Sequence, residues 1–311
     1  DGDNVNTKGL TITAGMDGAA KNDFVADAKS GAGAGNVGVA GSLAINVVAN
    51  TTTALLQGDT DASGAGASVN AGTGDILIAA GNASTSTVKA GADVKVAGGE
   101  AKVGVGASVG VNVVANKTVA EVANLATITG GANFGLNANS DHTMSTTVEG
   151  GASGAKIAVT PVVAVSIGDN STIARLGENA TGLGISGAYS STADQSSVQT
   201  TVAKGQTQGK EVAVGASIAV GIANDTVIAS VERDISATSG VGVNAKSVAR
   251  SDTSATASVA GGQKADADGK APADAGGTPG KSVDEQVASQ GDSAKTKGKT
   301  NAAKAPAAPE T

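Results

Sequence analysis

Four stretches decide the fold: VGVAGSLAIN from Val37, VGVGASVGVN from Val103, IAVTPVVAVS from Ile157 and VAVGASIAVG from Val212. In each, Val, Ile or Leu alternates with Gly, Ala, Ser or Asn. A period of two marks a strand, because successive side chains leave a pleated backbone on opposite faces. β-branched residues suit that backbone, Gly at every second or third place would weaken a helix, and no i, i+3, i+4 apolar spacing is present. The bulky set is therefore expected to form the strand core: Val37, Val39, Leu43 and Ile45, then Val103, Val105, Val109 and Val111, then Val212, Val214, Ile218 and Val220.

Outward from these boxes the chain keeps repeating. A few residues after each comes an Asn with a Thr-bearing segment, at Asn50, Asn116, Asn170 and Asn224, spaced 66, 54 and 54 residues apart. One Asn per repeat at a strand end reads as a turn marker, since Asn tolerates the left-handed region and bonds to nearby backbone. Each is also formally a glycan acceptor, and stacked Asn side chains could bond in a ladder along a coil axis. A shorter alternating pentad recurs as LTITA from Leu10, ILIAA from Ile76, FGLNA from Phe134, LGISG from Leu183 and VGVNA from Val241. From Gln263 the text changes. Residues 263–311 hold seven Lys, seven acids, four of the five Pro and no Ile, Leu or aromatic residue, which reads as a flexible polar insert or spacer.

Composition decides how such strands can be stable. The 311 residues include 46 Gly, no Cys, no Trp and three aromatics, Phe24, Phe134 and Tyr189, too little bulk for a wide globular core. Stacking answers the shortage: similar strands lie on one another from repeat to repeat and enclose a narrow column of small apolar residues. The expected class is all-β, an elongated β-solenoid over residues 1–262 with four repeats and the start of a fifth. The alternative is a stack of long β-hairpins. A 54-residue repeat divided into coils of about 18 residues would hold about three.

Chemistry is sparsely provided. His142 is the single histidine and sits in the polar run NSDHTMST, where a solvent-facing position is expected. Without Cys there is neither thiolate chemistry nor the usual Cys/His zinc site. The acid pairs Asp59/Asp61 and Asp266/Asp268 stand outside the boxes, and no EF-hand or GGxGxD calcium loop occurs. GAGAGNVG lacks the GxxxxGK[ST] phosphate-loop pattern. A polysaccharide-active β-helix enzyme would need clustered carboxylates and aromatic platforms, which three scattered aromatics do not supply. No catalytic, cofactor or metal residue is expected. A formal charge of −7 argues against nucleic acid, no run of 18 apolar residues argues for membrane insertion, and a start at Asp1 reads as an excised or processed piece.

The stretch VGVGASVGVNVVANKTVAEV, followed by a short turn and a pentad, resembles the repeats of very large bacterial filamentous adhesins, the haemagglutinin-like and fusobacterial leukotoxin-like surface proteins. The likeness covers Leu10 to Gly262. It implies an exported cell-surface stalk that projects binding regions, with Asn50, Asn116, Asn170 and Asn224 at the repeat-ending turn. The implied partners are neighbouring repeats, homotypic fibre contacts or surface receptors. The third copy departs from the pattern at Thr160 and Pro161, where a bulge, edge or loop is expected because Pro cannot donate to a ladder.

Overall fold

In the computed structural model, residues 4–16, 20–33, 35–59, 66–95 and 102–261 are described. Asp61, Asp266, Asp268, the AGG at 97–99 and the polar segment 263–311 lie outside them. The first coil contains β1 (Asn4–Asn6), β2 (Leu10–Ala14), β3 (Asn22–Gly33) and β4 (Val37–Leu56), and the second β5 (Ser68–Asn70), β6 (Ile76–Lys95) and β7 (Val103–Val122). In the third, β8 (Thr127–Thr129) leads to β9 (Phe134–Leu176), a strand that rounds the corner of the coil unbroken. β10 (Leu183–Ile185) and β11 (Ala188–Val231) repeat this, and β12 (Ile235–Ala237) and β13 (Gly240–Ala260) open a fifth coil.

Every strand pair is parallel and joins one coil to the next. The fold is thus all-β and compatible with a β-solenoid. Its winding is wider than the sequence reading supposed. Val37 stacks on Val103, Val103 on Ile157 and Ile157 on Val212, so a whole repeat of about 55 residues makes one coil, not three. The hairpin alternative fails as well: among the described residues the outgoing strand and the return strand of one coil share no backbone ladder, only side-chain hydrogen bonds such as Ser84–Asn116 and Ser86–Asn112. They lie face to face.

The pentads open the outgoing strands, with one correction. Leu10, Ile76, Phe134 and Val241 occupy equivalent registers, but the fourth member is Tyr189; Leu183 belongs to a three-residue strand paired with Ile235–Ala237. At this end of the coil the short strands close a three-sided head. It is filled by the bulkiest buried side chains, among them Ile76, Leu136, Leu176 and the edge-to-face pair Phe134–Tyr189, with ring centroids 5.4 Å apart. Arg233 is buried across this head and donates to the carbonyl oxygens of Gly177 (2.5 Å) and Ala126 (2.7 Å), stitching the ends of adjacent coils.

Beyond the head the two layers form a thin blade. A Cβ at Gly106 would fall on the carbonyl oxygen of Gly151, and one at Gly110 would lie 2.5 Å from Val148 Cγ2. Most inward positions of the return strands therefore carry Gly, Ala, Ser, Thr or Asn, and Val48, Val114 and Val162 enter where the layers leave room for a larger side chain. At Pro161 the pairing of β7 with β9 lapses between Val105↔Val159 and Ser108↔Val162, then resumes in the same register. The ladder is interrupted where a donor is missing, yet the strand continues.

Candidate interaction face on the return strands

The thin blade inverts the expected core. All twelve residues assigned inward lie on the outer face. Val37 (58%), Leu43 (60%) and Ile218 (55%) are exposed, as are Val39, Ile45, Val212, Val214 and Val220, while Val103, Val105, Val109 and Val111 are half-buried between their coil neighbours. The alternation is real, but the smaller set is the interior: Ala40, Ala44, Ser108 and Asn112 are buried. Steric space between the layers decides the parity, overriding the preference of larger aliphatics for the interior.

Register turns these outward residues into a grid. Val37, Val39, Leu43, Ile45 and Val47 stand in columns with Val103, Val105, Val109, Val111 and Val113, with Ile157, Val159, Val163, Val165 and Ile167, and with Val212, Val214, Ile218, Val220 and Ile222. All twenty positions are aliphatic and none is charged. A sixth column of small or ring side chains, Gly41, Ala107, Pro161 and Ala216, runs as a furrow through the grid. Polar groups bound it. Lys156 and Glu211 (3.5 Å) lie at the Val37 end. Asp169, accepting from Asn224 Nδ2 (3.0 Å), and Arg175, bridging Glu121 and Glu232 (both 2.6 Å), lie beyond the Val47 end. That bridge holds the Glu232 carboxyl below its ordinary range, through the hydrogen bond from Arg175 first of all. An apolar centre with a polar margin is the anatomy of an interface, and a patch of this extent marks an interaction site on a protein surface.

The outer face of the outgoing strands is different. Val25, Thr87, Ser145 and Thr200 share one register, as do Lys29, Gly91, Glu149 and Lys204. The coil stack therefore has one mainly hydroxylic and charged side, with Val25 and Val198 scattered on it, and one aliphatic side.

The repeat-marking asparagines occupy neither turn nor surface as a set. Asn50, Asn116 and Asn170 stack at one inward position mid-strand, where Asn116 Nδ2 donates to Asn170 Oδ1 (2.8 Å) and Asn170 Nδ2 to Asp225 Oδ1 (2.9 Å). They form the ladder, not the turn, and Asn116 and Asn170 are too buried to carry a glycan. Asn224 is one residue out of step, exposed, with Asp225 in the ladder in its place. Ladder neighbours Ser84, Gln195 and Ser197 bond into the same chain across the blade. His142 belongs here too. It is buried, not solvent-facing; its Nδ1 lies 2.8 Å from Ser84 Oγ, and burial lowers its pKa to about 4 against the pull of Asp141 and Asp225. The parity of His142 was readable in retrospect from Ser140 and Met144, which alternate with Asp141 and Thr143.

Among the described residues no group of three or more His, Asp or Glu side chains converges as a metal site. Comparison with protein-family models, with characterised proteins and with solved structures finds no match for the chain.

Proposed function

We propose that the chain is a structural, non-catalytic segment of an exported bacterial surface adhesin or filament, in which the stacked coils present a broad association face. The observation that carries this reading is the twenty-residue aliphatic grid on the return strands. Coil arithmetic favours a face over a reach-extending stalk. Each repeat of about 55 residues lengthens the stack by only about 4.8 Å, while its blade extends roughly 65 Å along a 20-residue strand. A chain selected for reach would spend far fewer residues per coil. A non-catalytic role is supported by His142, the single histidine, which is buried in the blade and whose pKa burial lowers to about 4. Net charge of −7 disfavours nucleic acid as the partner.

The test uses the parent protein in its own cell. Antibodies to the segment are expected to label intact, unpermeabilised cells or the medium, and labelling only after permeabilisation would refute export. Excising two coils in place shortens the stack by only about 10 Å, so a marked loss of cell attachment or clumping is expected from lost face. Unchanged attachment would contradict the association role.

A further inference from the structure

We infer that the aliphatic face is covered by the same face of a second copy, paired about a two-fold axis parallel to the coil axis. This deepens the proposed function by naming the partner. Extent is the first argument. The grid runs from Val37 to Val47 over four strands, an area of about 600 Å² per copy and about 1,200 Å² for a pair, within the range of stable interfaces.

Shape is the second, and it selects the orientation. A two-fold axis along the coils reverses the strand direction and exchanges the column of Val37 with that of Val47, and the column of Val39 with that of Ile45. The furrow Gly41, Ala107, Pro161, Ala216 then faces the adjacent ridge Leu43, Val109, Val163, Ile218 of the other copy, twice over. An isologous contact requires this kind of self-complementarity. An axis along the strands would set furrow against furrow and leave a void, which costs packing.

Charge is the third. The same operation brings Lys156, just before Ile157, to within one residue of Asp169 of the second copy, because the two stand nearly equal distances from the centre of the grid. Both are exposed at the margin. The pair has its coil axes parallel, so two molecules projecting from one surface can associate side by side, each keeping its hydroxylic face to water.

Sedimentation equilibrium on the 311-residue chain, from about 1 to about 100 µM, is expected to show a monomer–dimer equilibrium. The double variant V109K/V163K is expected to be monomeric over that range with an unchanged far-ultraviolet circular dichroism spectrum. Because the chain has no Cys, the orientation can be read by cross-linking: oxidising a mixture of A107C and V109C chains is expected to give a disulfide-linked heterodimer in several-fold excess over A107C alone. A wild-type monomer throughout, a dimer untouched by V109K/V163K, or equal cross-linking by A107C alone would overturn the proposal. So would binding to phosphatidylcholine vesicles without dimerisation, which makes lipid the occupant. A chain that dimerises in solution but is never exported would defeat the proposed function and leave the pairing intact.

Discussion

Gly110 and Val109 are adjacent residues with opposite roles. A side chain at Gly110 would meet Val148 Cγ2 at 2.5 Å and Val88 Cγ1 at 3.2 Å, both across the blade. Gly110→Val is expected to cost about 1–3 kcal/mol or more through overpacking, whereas Val109→Ala, on the outer face, should cost less than about 1 kcal/mol at concentrations where the chain is monomeric. Urea unfolding of the two variants checks the order. His142 supplies a pH test. Its folded pKa near 4 lies below the ordinary 6.5, so between those values the unfolded chain binds the proton first. The contribution of neutral His142 is present in full above about pH 6.5 and is lost as pH falls to about 4, on the order of 3 kcal/mol in all. His142→Ser copies Ser84 and Ser197, which hold the same register in the neighbouring coils. The variant is expected to lose the part of the acid destabilisation between pH 6.5 and 4 that wild type shows; identical slopes would contradict a buried neutral histidine.

The strand is the next scale, and here the alternation in Val37–Val47 was legible while its direction was not. Period two states that two faces differ; it does not say which faces in. What decided the matter was the distance between layers, a property of the whole coil. The asparagines at 50, 116 and 170 were legible as one set, but their ladder position depended on strands running past the NxT segments. LGISG at Leu183 imitated a pentad because three residues suffice for the imitation, whereas the true equivalent at Tyr189 continues into the polar run SSTADQSS. The winding has its own test. Val103 and Ile157 occupy the same place in successive coils, so deleting Val103–Lys156 removes 54 residues and one coil. That variant is expected to keep a strand-rich circular dichroism spectrum and cooperative unfolding. Deleting about a third of it, roughly 18 residues, should break the register. Equal tolerance of the shorter deletion would favour three coils per repeat.

For the whole molecule, the parallel register makes each coil a template for the next, and a thin interior of Ala and Val, with buried Ser, Thr and Asn between, becomes continuous along the axis. The larger share of the aliphatic bulk of the return strands is carried on the outside, in columns, and forms the proposed association surface. The proposed function therefore rests on parity. The most direct measurement is thiol labelling of single cysteines placed in this otherwise Cys-free chain at Ser108, Val109, Val111 and Asn112, at concentrations low enough to keep the protein monomeric. Cysteines at 109 and 111 are expected to react with maleimide in the native protein many times faster than those at 108 and 112, which should react only on unfolding. Fast labelling at 108 and 112 with protection at 109 and 111 would put the aliphatic residues inside and contradict the interaction face.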